Sequence, residues 1–309
     1  MAIEKDELQM DSATTVFFER ELESVRKKTY DVKKIPLKAR TVFPVNFEDH
    51  EGSTAITYRQ YDTFGLAKII ANYADDLPIA DVEGKEFTSP VKELGTSFTY
   101  SFKEIRAAKK TNKPLQQKKA GAARRAVAEL ENRLAFFGDS SSNLPGLLTN
   151  PNIPRVGVAA NGSGETEWEN KTATEILADL SACINTPSNL TGGTEDATDL
   201  MISNQKYNYI RNTYSDARGE YTILNVFLKN NPQIKNVFPM SELDGAGFNG
   251  TDVMVAFNRD IDKLEMAVPM EFLIHAPEKR GLSYKVPCEE SFGGVIVFYP
   301  FSVCISEGL

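Results

Sequence analysis

The chain has 309 residues and a formal net charge of −8, with 41% hydrophobic and 25% charged residues. These fractions are typical of soluble globular proteins and exclude a disordered tail protein, and the length allows two compact units or one elaborated domain. The acidic balance disfavours a general nucleic-acid binder, because such proteins neutralise phosphates with Lys and Arg.

No segment has the pattern of a signal peptide or a membrane span. The first residues, MAIEKDELQMDS, are rich in charge, and the longest apolar stretch, residues 293–305, is interrupted by Pro300. This stretch is shorter than the roughly 20 residues that cross a bilayer. We therefore expect a cytoplasmic protein that does not contact a membrane.

Cysteine and histidine are scarce. Cys183, Cys288 and Cys304 are widely spaced among apolar neighbours, and His50 and His275 are the only histidines. The spacing favours buried, reduced thiols, and two distant histidines are a poor basis for a zinc site or a catalytic relay. We expect no metal and no cofactor.

The N-terminal region is predicted to form an arm. Residues 14–28 place apolar side chains near one helical face among dense charges, which predicts a short amphipathic helix. Residues 30–46 are basic and contain Pro36 and Pro44, which disfavour helix and favour an extended segment lying on another surface.

A long projection follows the arm. Phe98, Tyr100 and Phe102 alternate with Ser and Thr, which predicts a half-buried strand over residues 97–102, and residues 54–61 are its expected antiparallel partner. The intervening segment is far longer than a tight hairpin turn and is rich in apolar side chains. We expect it to project and to require a partner surface.

The clearest helix spans residues 114–137. Its apolar residues recur at spacings of three and four and form one stripe: Ala123, Val127, Leu130, Leu134 and Phe137. Gly138 is predicted to end the helix, and the following serines with Pro145 and Gly146 predict turns. Leu147 and Leu148 are expected to pack under the last helical turn.

The remaining chain alternates helices and strands and then becomes rich in strands. Residues 155–268 are predicted to form an α/β lobe, in which Ser203 or Asn204 caps a helix. The predicted helices of the lobe are 173–184, 204–209 and 221–228, and its predicted strands are 199–202, 237–238 and 252–257. The predicted closing strands are 271–275, 282–286, 295–299 and 301–305.

Enzymatic interpretations have weak support. Ser140 lies in a Gly-Asp-Ser that resembles a hydrolase nucleophile, but it follows a helix rather than a strand, and Phe272 stands where an Asp would orient His275. Carboxylate pairs such as Asp260 with Asp262, or Glu289 with Glu290, are expected by chance among 43 acidic residues.

The order of arm, projection, long helix, α/β lobe and closing strands, with the motifs FFGD and GLLTNP, resembles the major capsid protein of tailed bacteriophages. This resemblance covers essentially the whole chain. It implies an α+β fold of the Hong Kong 97 type, which encapsulins share. The implied segments are an N-terminal arm (1–49), an extended β-hairpin loop (50–105), a peripheral domain with the long spine helix (106–154), an α/β axial domain (155–268) and closing strands of the peripheral domain (269–309).

The resemblance implies a structural protein without enzymatic activity or cofactor. Subunits of this family form pentamers and hexamers that tile an icosahedral virion shell, assembled in the bacterial cytoplasm, around double-stranded DNA without tight sequence-specific contact. Separate portal, decoration and scaffolding proteins are implied partners, although the short arm leaves open that no scaffolding is used. An encapsulin-like compartment is the alternative, a Ser140 hydrolase is a distant one, and Lys85 is a candidate for cross-linking between subunits.

The charges are segregated along the chain. Residues 103–125 carry nine basic residues against one acidic residue, and residues 75–86 carry five acidic residues against one basic residue. Solvated faces would explain this, but we also hypothesise that the acidic projection docks on the basic stretch of an adjacent subunit. The residues of this predicted interface are Asp75, Asp76, Asp81, Glu83, Glu86, Lys109, Lys110, Lys113, Lys118, Lys119, Arg124 and Arg125.

Overall fold

A computed structural model describes the chain over residues 32–65, 79–111, 115–215 and 221–309. Contacts divide the chain into two units, Met1–Pro36 and Leu37–Leu309. In the first unit only residues 32–36 are described, and they form neither helix nor strand. The helix predicted at residues 14–28 lies outside the described residues.

The second unit mixes helices and strands. Its described helices are α1 (Ala39–Val42), α2 (Phe102–Thr111), α3 (Leu115–Phe137), α4 (Ala173–Leu190), α5 (Asn204–Asn212) and α6 (Ile223–Asn230). Its described strands are β1 (Val45–Asn46), β2 (Ala55–Phe64), β3 (Asp81–Pro90), β4 (Lys92–Ser101), β5 (Arg155–Gly157), β6 (Asp199–Ser203), β7 (Asn236–Met240), β8 (Val253–Phe257), β9 (Leu264–Ala267), β10 (Met270–Ile274), β11 (Glu278–Arg280), β12 (Ser283–Phe292), β13 (Gly294–Val297) and β14 (Val303–Glu307). None of these helices is both long and apolar enough to cross a membrane.

The described strands form four sheets. The largest has the order β5-β14-β8-β6-β7, and a second sheet joins β10, β12 and β11 with β4 on the free side of β12. A third sheet has the order β1-β9-β13. Within the described residues, β2 and β3 pair only with each other, so this hairpin lies outside the three larger sheets.

The predicted pairing of residues 54–61 with 97–102 is wrong. The structure pairs β2 with β3 over ten residue pairs, and pairs β4 with β12 over another ten. Aromatic contact favours the second pairing, because the Tyr100 ring lies opposite Tyr284 with 5.5 Å between centroids. The structure instead has a two-stranded hairpin of β2 with β3 in this region, and that the region projects stays a prediction. The half-buried alternation of Phe98 and Tyr100 is confirmed in β4.

Helix α3 confirms the predicted long helix over its described residues. Ala123, Val127 and Leu134 are buried as the stripe predicts. The prediction for the last position is wrong, since Phe137 is 41% exposed and Phe136 is fully buried. Phe136 is covered by Phe43, which follows α1, with 5.3 Å between the ring centroids.

Two glycines bring the chain back against the end of α3. Gly138 has a φ of +64°, as expected for a residue that ends a helix in the left-handed region. A Cβ on Gly138 would lie 2.3 Å from the backbone nitrogen of Gly146, and one on Gly146 would lie 2.3 Å from that of Gly138. This close approach places Leu147 and Leu148 in the core, as predicted.

The α/β lobe is built on the five-stranded sheet. Every residue of β6 and β8 is buried, and α4 begins at a capping box between Thr172 and Glu175. Ser203 caps α5, and α4 continues through Pro187, beyond its predicted end. Cys183 and Cys304 are buried here, and Cys288 is buried in β12, which confirms the prediction for the thiols.

The predicted division at residue 268 is wrong in two places. Strand β14 lies between β5 and β8 in the sheet of the α/β lobe, although it was expected among the closing strands of the peripheral domain. Strand β9 was expected in the lobe but pairs with β1 and β13. Both pairings join segments far apart in sequence, so local patterns do not reveal them. The other segment boundaries remain predictions.

Replacing Gly138 by Ala tests the importance of the close backbone approach between Gly138 and Gly146. The added methyl group would meet backbone atoms at a positive φ, so we expect Gly138→Ala to lower the free energy of unfolding by about 3 kcal/mol. Gly121, inside α3, has open space around it and is the matched control. Gly121→Ala should stabilise the protein by about 0.5–1 kcal/mol, because Ala favours helix. Urea unfolding measures both, and a neutral Gly138→Ala would contradict this account.

Candidate functional site

The hairpin of β2 and β3 is anchored at its base. The Tyr58 ring meets Phe298 edge-on at 4.8 Å between centroids and stacks on Phe87 at 5.3 Å. The Ser89 hydroxyl donates a hydrogen bond of 3.1 Å to the Gly293 carbonyl oxygen. These contacts fix the hairpin base against the segment around β13.

One face of the hairpin, here called the paired face, satisfies its own polar groups. Directly opposite residues of an antiparallel pair share a face. Thr57 and Thr88 are hydrogen-bonded at 3.0 Å, and the Arg59 Nε donates to Glu86 Oε1 at 2.7 Å. The predicted interface residue Glu86 is therefore engaged within the hairpin.

The other face of the hairpin carries an excess of acidic side chains beyond its anchored base. Asp62 stands directly opposite Glu83, and Phe64 opposite Asp81. These four residues, here called the acidic face, are all exposed. Like charges directly opposite each other are destabilising. Lys85 is on the same side, but its Nζ lies 5.1 Å from the centre of the Phe87 ring, toward the base.

The basic residues lie on two consecutive helices. In α2, Lys103, Arg106 and Lys110 are exposed at helical spacings of three and four, which puts them on one side. This set is here called the basic stripe. Lys109 is also exposed in the last turn of α2. The charge of the basic stripe is opposite to that of the acidic face.

Several predicted bases are engaged within the chain. Lys119 donates to the Thr99 carbonyl oxygen at 2.7 Å and to Glu104 at 3.0 Å. The Ser101 backbone amide also donates to Glu104 Oε2, at 2.8 Å. This bond and then the bond from Lys119 lower the pKa of Glu104.

Two further predicted bases bind residues of their own chain. Arg125 pairs with Glu129 at 2.7 Å, and the Arg124 guanidinium lies 5.4 Å from the centre of the Phe272 ring. Lys118 is exposed on α3. Asp75, Asp76 and Lys113 lie outside the described residues.

The structure adds residues that the predicted interface lacked. Asp62 joins Asp81 and Glu83 only through the register of β2 and β3, which the expected pairing of 54–61 with 97–102 did not contain. Lys103 and Arg106 share a helix side with Lys110, and this helical spacing was visible in the sequence.

The Ser140 constellation is incomplete. Ser140 begins a short 3-10 turn after α3, and Asp139 accepts hydrogen bonds from Ser141 and Ser142. Among the described residues neither histidine is hydrogen-bonded to Ser140. The His50 Nδ1 accepts from the Gly52 amide, and the His275 Nε2 is 2.7 Å from Glu289.

The carboxylate pairs also have structural roles. The Asp262 backbone amide donates to Asp260 in a turn, Glu289 is bonded to His275, and Glu290 is bonded to Arg40. The described part of the chain contains no group of three or more His, Cys, Asp or Glu residues arranged to hold a metal ion.

Comparison with known structures defines the class of fold as that of phage capsids. The chain is similar to the capsid of Myoviridae phage XM1, with a TM-score of 0.81 and 17% identity, covering 96% of this chain and 100% of that chain. It is similar to the capsid of the native GTA particle at a TM-score of 0.65 and 12% identity, covering 96% and 99%. The virus-like particle from Pyrococcus furiosus matches at 0.54 and 14%, covering 89% and 92%.

The family follows from the sequence match. Residues 65–309 match the family model of the major capsid protein, and this chain belongs to that family. The comparison with curated proteins finds no significant match. The α+β fold of the Hong Kong 97 type that the resemblance implies is confirmed.

Neutralising one member of the acidic pair tests the imbalance within a single subunit. In Asp62→Asn the like-charge contact with Glu83 is removed, so amide exchange in β2 and β3 should slow by roughly a few-fold. Hydrogen–deuterium exchange of the unassembled subunit measures this. Glu86→Gln, on the paired face, removes an attractive partner of Arg59 and should leave exchange unchanged or faster. Faster exchange in Asp62→Asn would contradict the account.

Proposed function

We propose that this chain is the building block of a closed icosahedral head shell of a tailed bacteriophage, enclosing double-stranded DNA. The observation that carries the proposal is the hairpin of β2 and β3, which belongs to a capsid fold and exposes Tyr61, Phe64 and Val82. A two-stranded sheet is marginally stable alone, and its apolar side chains favour burial against another surface. Neighbouring copies in a shell supply such a surface.

The proposed role is structural and without catalysis. The unassisted Ser140 and the structural use of the carboxylate pairs support this proposal. Packaged DNA would be held without sequence-specific contact, consistent with the net charge of −8. Portal, scaffolding and decoration proteins are proposed further partners, and assembly is proposed to take place in the host cytoplasm.

Imaging the particles and identifying their contents tests the shell proposal. Full-length protein expressed in bacteria should form closed particles in electron micrographs, and particles from infected cells should contain double-stranded DNA. Particles filled with a protein cargo would favour the encapsulin-like alternative, for which the similarity to the Pyrococcus furiosus particle is the supporting observation. A chain that stays monomeric at all concentrations and salt conditions would contradict both.

We further propose that the acidic face of one copy docks on the basic stripe of another copy. Among the described residues, the outer half of the acidic face holds Asp62, Asp81 and Glu83 and no basic residue, and the stripe presents three exposed bases. Asp75, Asp76 and the exposed lysines Lys109 and Lys118 are proposed to extend the contact. Each exposed pair contributes about 0–1 kcal/mol and is screened by salt, so repetition over many copies makes the contact significant.

A charge exchange tests the docking. The variant Asp62→Lys with Glu83→Lys should prevent or greatly slow assembly, because it places two positively charged groups against the three bases of the basic stripe. Adding Lys103→Glu and Arg106→Glu to the same chain should restore particles. Light scattering at several salt concentrations measures both.

Glu86→Gln on the paired face is the matched control and should assemble normally. If the reversed variant forms particles with the salt dependence of the unmodified protein, the docking proposal fails. If the unmodified protein forms shells in the same assembly assay, the shell proposal stands even when the docking proposal fails. The assay therefore distinguishes failure of the docking proposal from failure of the shell proposal.

A further inference from the structure

The sequence contains two Asn-Gly pairs, whose surroundings in the structure differ. They are Asn161-Gly162 and Asn249-Gly250. Both lie in loops of the α/β lobe, the first after β5 and the second between β7 and β8. A glycine after asparagine leaves its backbone nitrogen open to the asparagine side chain, because glycine has no Cβ to obstruct the approach. The two pairs therefore have the same intrinsic chemistry.

The Asn161 side chain is held by three hydrogen bonds. Its Oδ1 accepts from the backbone amides of Ser163 and Glu165, both at 2.9 Å. Its Nδ2 donates to the Asn170 carbonyl oxygen, also at 2.9 Å. The Asn161 backbone is fixed as well, since its amide donates to the Glu165 carbonyl oxygen at 2.8 Å. Rotation of this carboxamide toward Gly162 therefore has to break its side-chain bonds first.

The Asn249 side chain has no such restraint. It is exposed and has no hydrogen-bond partner among the described residues. Its backbone is left-handed, with a φ of 56° and a ψ of 22°. The Gly250 amide donates to the Gly247 carbonyl oxygen at 3.1 Å, and a Cβ on Gly250 would meet no atom within 4 Å. Loss of this one bond exposes the Gly250 nitrogen to water and to the Asn249 carboxamide.

We propose that Asn249 is a site of spontaneous deamidation, which converts it to aspartate and isoaspartate in the folded protein, while the fold protects Asn161. Asparagine is among the residues that are chemically least durable in proteins. The modification requires water and neither an enzyme nor a cofactor. The site lies within one chain, so the proposal does not rest on the proposed shell.

The reaction balances without an oxidant or a reductant. Water or hydroxide removes the proton of the Gly250 amide, and the nitrogen attacks the side-chain carbonyl carbon of Asn249. A bond forms between this carbon and the nitrogen, and the bond to Nδ2 breaks, so that Nδ2 leaves as ammonia. The product is a cyclic succinimide. Water then opens the ring at either carbonyl carbon and gives aspartate or isoaspartate, so overall an amino group is replaced by a hydroxyl group.

The new charge enters an acidic part of the lobe. The backbone amide of Phe248 donates to Glu307 Oε2 at 3.4 Å, and Glu307 Oε1 is bonded to the Arg155 guanidinium. A further acid, Asp252, follows in the same loop. A carboxylate at position 249 therefore adds to the negative charge of this loop, and the modified chains become more acidic as the protein ages.

Peptide mass spectrometry of the full-length protein tests the proposal. The native protein is incubated at about pH 8 and, in parallel, in concentrated urea, where the fold protects neither pair. Conversion adds about 1 Da, and fragmentation assigns the gain to Asn249 or to Asn161. In the native protein the rate at Asn249 should exceed that at Asn161 by at least about tenfold, because Asn161 must first lose three hydrogen bonds. In urea the two rates should converge.

The urea sample makes each outcome decisive, because it shows how long an unprotected Asn-Gly pair takes to react. Equal rates at the two sites in the native protein, or a faster rate at Asn161, would overturn the proposal. A native Asn249 that stays intact while both pairs react in urea would overturn it as well. This comparison uses the parent protein and does not depend on the folding of a variant.

Two variants identify the source of the acidic form in ion-exchange chromatography. Asn249→Gly suits the left-handed backbone at this position and should remove the acidic form that accumulates in the parent protein. Asn161→Gly is the matched control and should retain it. Asn143 is an internal reference that should stay intact, since it has a φ of 54° but precedes Leu144 rather than glycine. Undiminished acidic form in Asn249→Gly would contradict the assignment.

Discussion

The packing of helix α3 is the interaction on which the rest of the peripheral structure depends. Its buried stripe contacts β4, α1 and the segment around Leu147, and its end at Gly138 turns the chain back on itself. Strand β4 in turn pairs with β12, and Val91 is the single residue between the end of β3 and the start of β4. Arg40 of α1 is bonded to Glu131 of this helix, and the hairpin leads directly into β4, which packs on the same helix.

Features that arise from neighbouring residues were predictable from the sequence. The stripe of α3, the stop at Gly138 and the cap at Ser203 depend on local spacing and residue type, and the structure contains them. Pairings between distant segments were not predictable, since β14 and β9 have apolar patterns that fit any buried strand. The acidic pair of Asp62 and Glu83 and the carboxyl groups around Arg40 depend on such long-range registers.

The two faces of the hairpin differ in how well their charges are balanced in an isolated subunit. Its paired face satisfies its own polar groups, while its acidic face places Asp62 against Glu83 and exposes Phe64. An isolated subunit therefore carries a destabilising like-charge contact in this hairpin, which the proposed docking on a basic surface would relieve. In the proposed shell, contacts between copies offset the free-energy cost of this like-charge contact within each subunit. The stability of the subunit is thereby linked to assembly.

A cryo-electron microscopy reconstruction of particles assembled from the full-length protein tests the central claim most directly. The account predicts closed shells in which the Asp62 and Glu83 carboxylates of one copy lie within about 4 Å of the Lys103 or Arg106 nitrogens of a neighbour. Closed shells in which the acidic face points into solvent, or meets carboxylates of the neighbour, would contradict the docking. Failure to obtain any closed shell would contradict the proposed function itself.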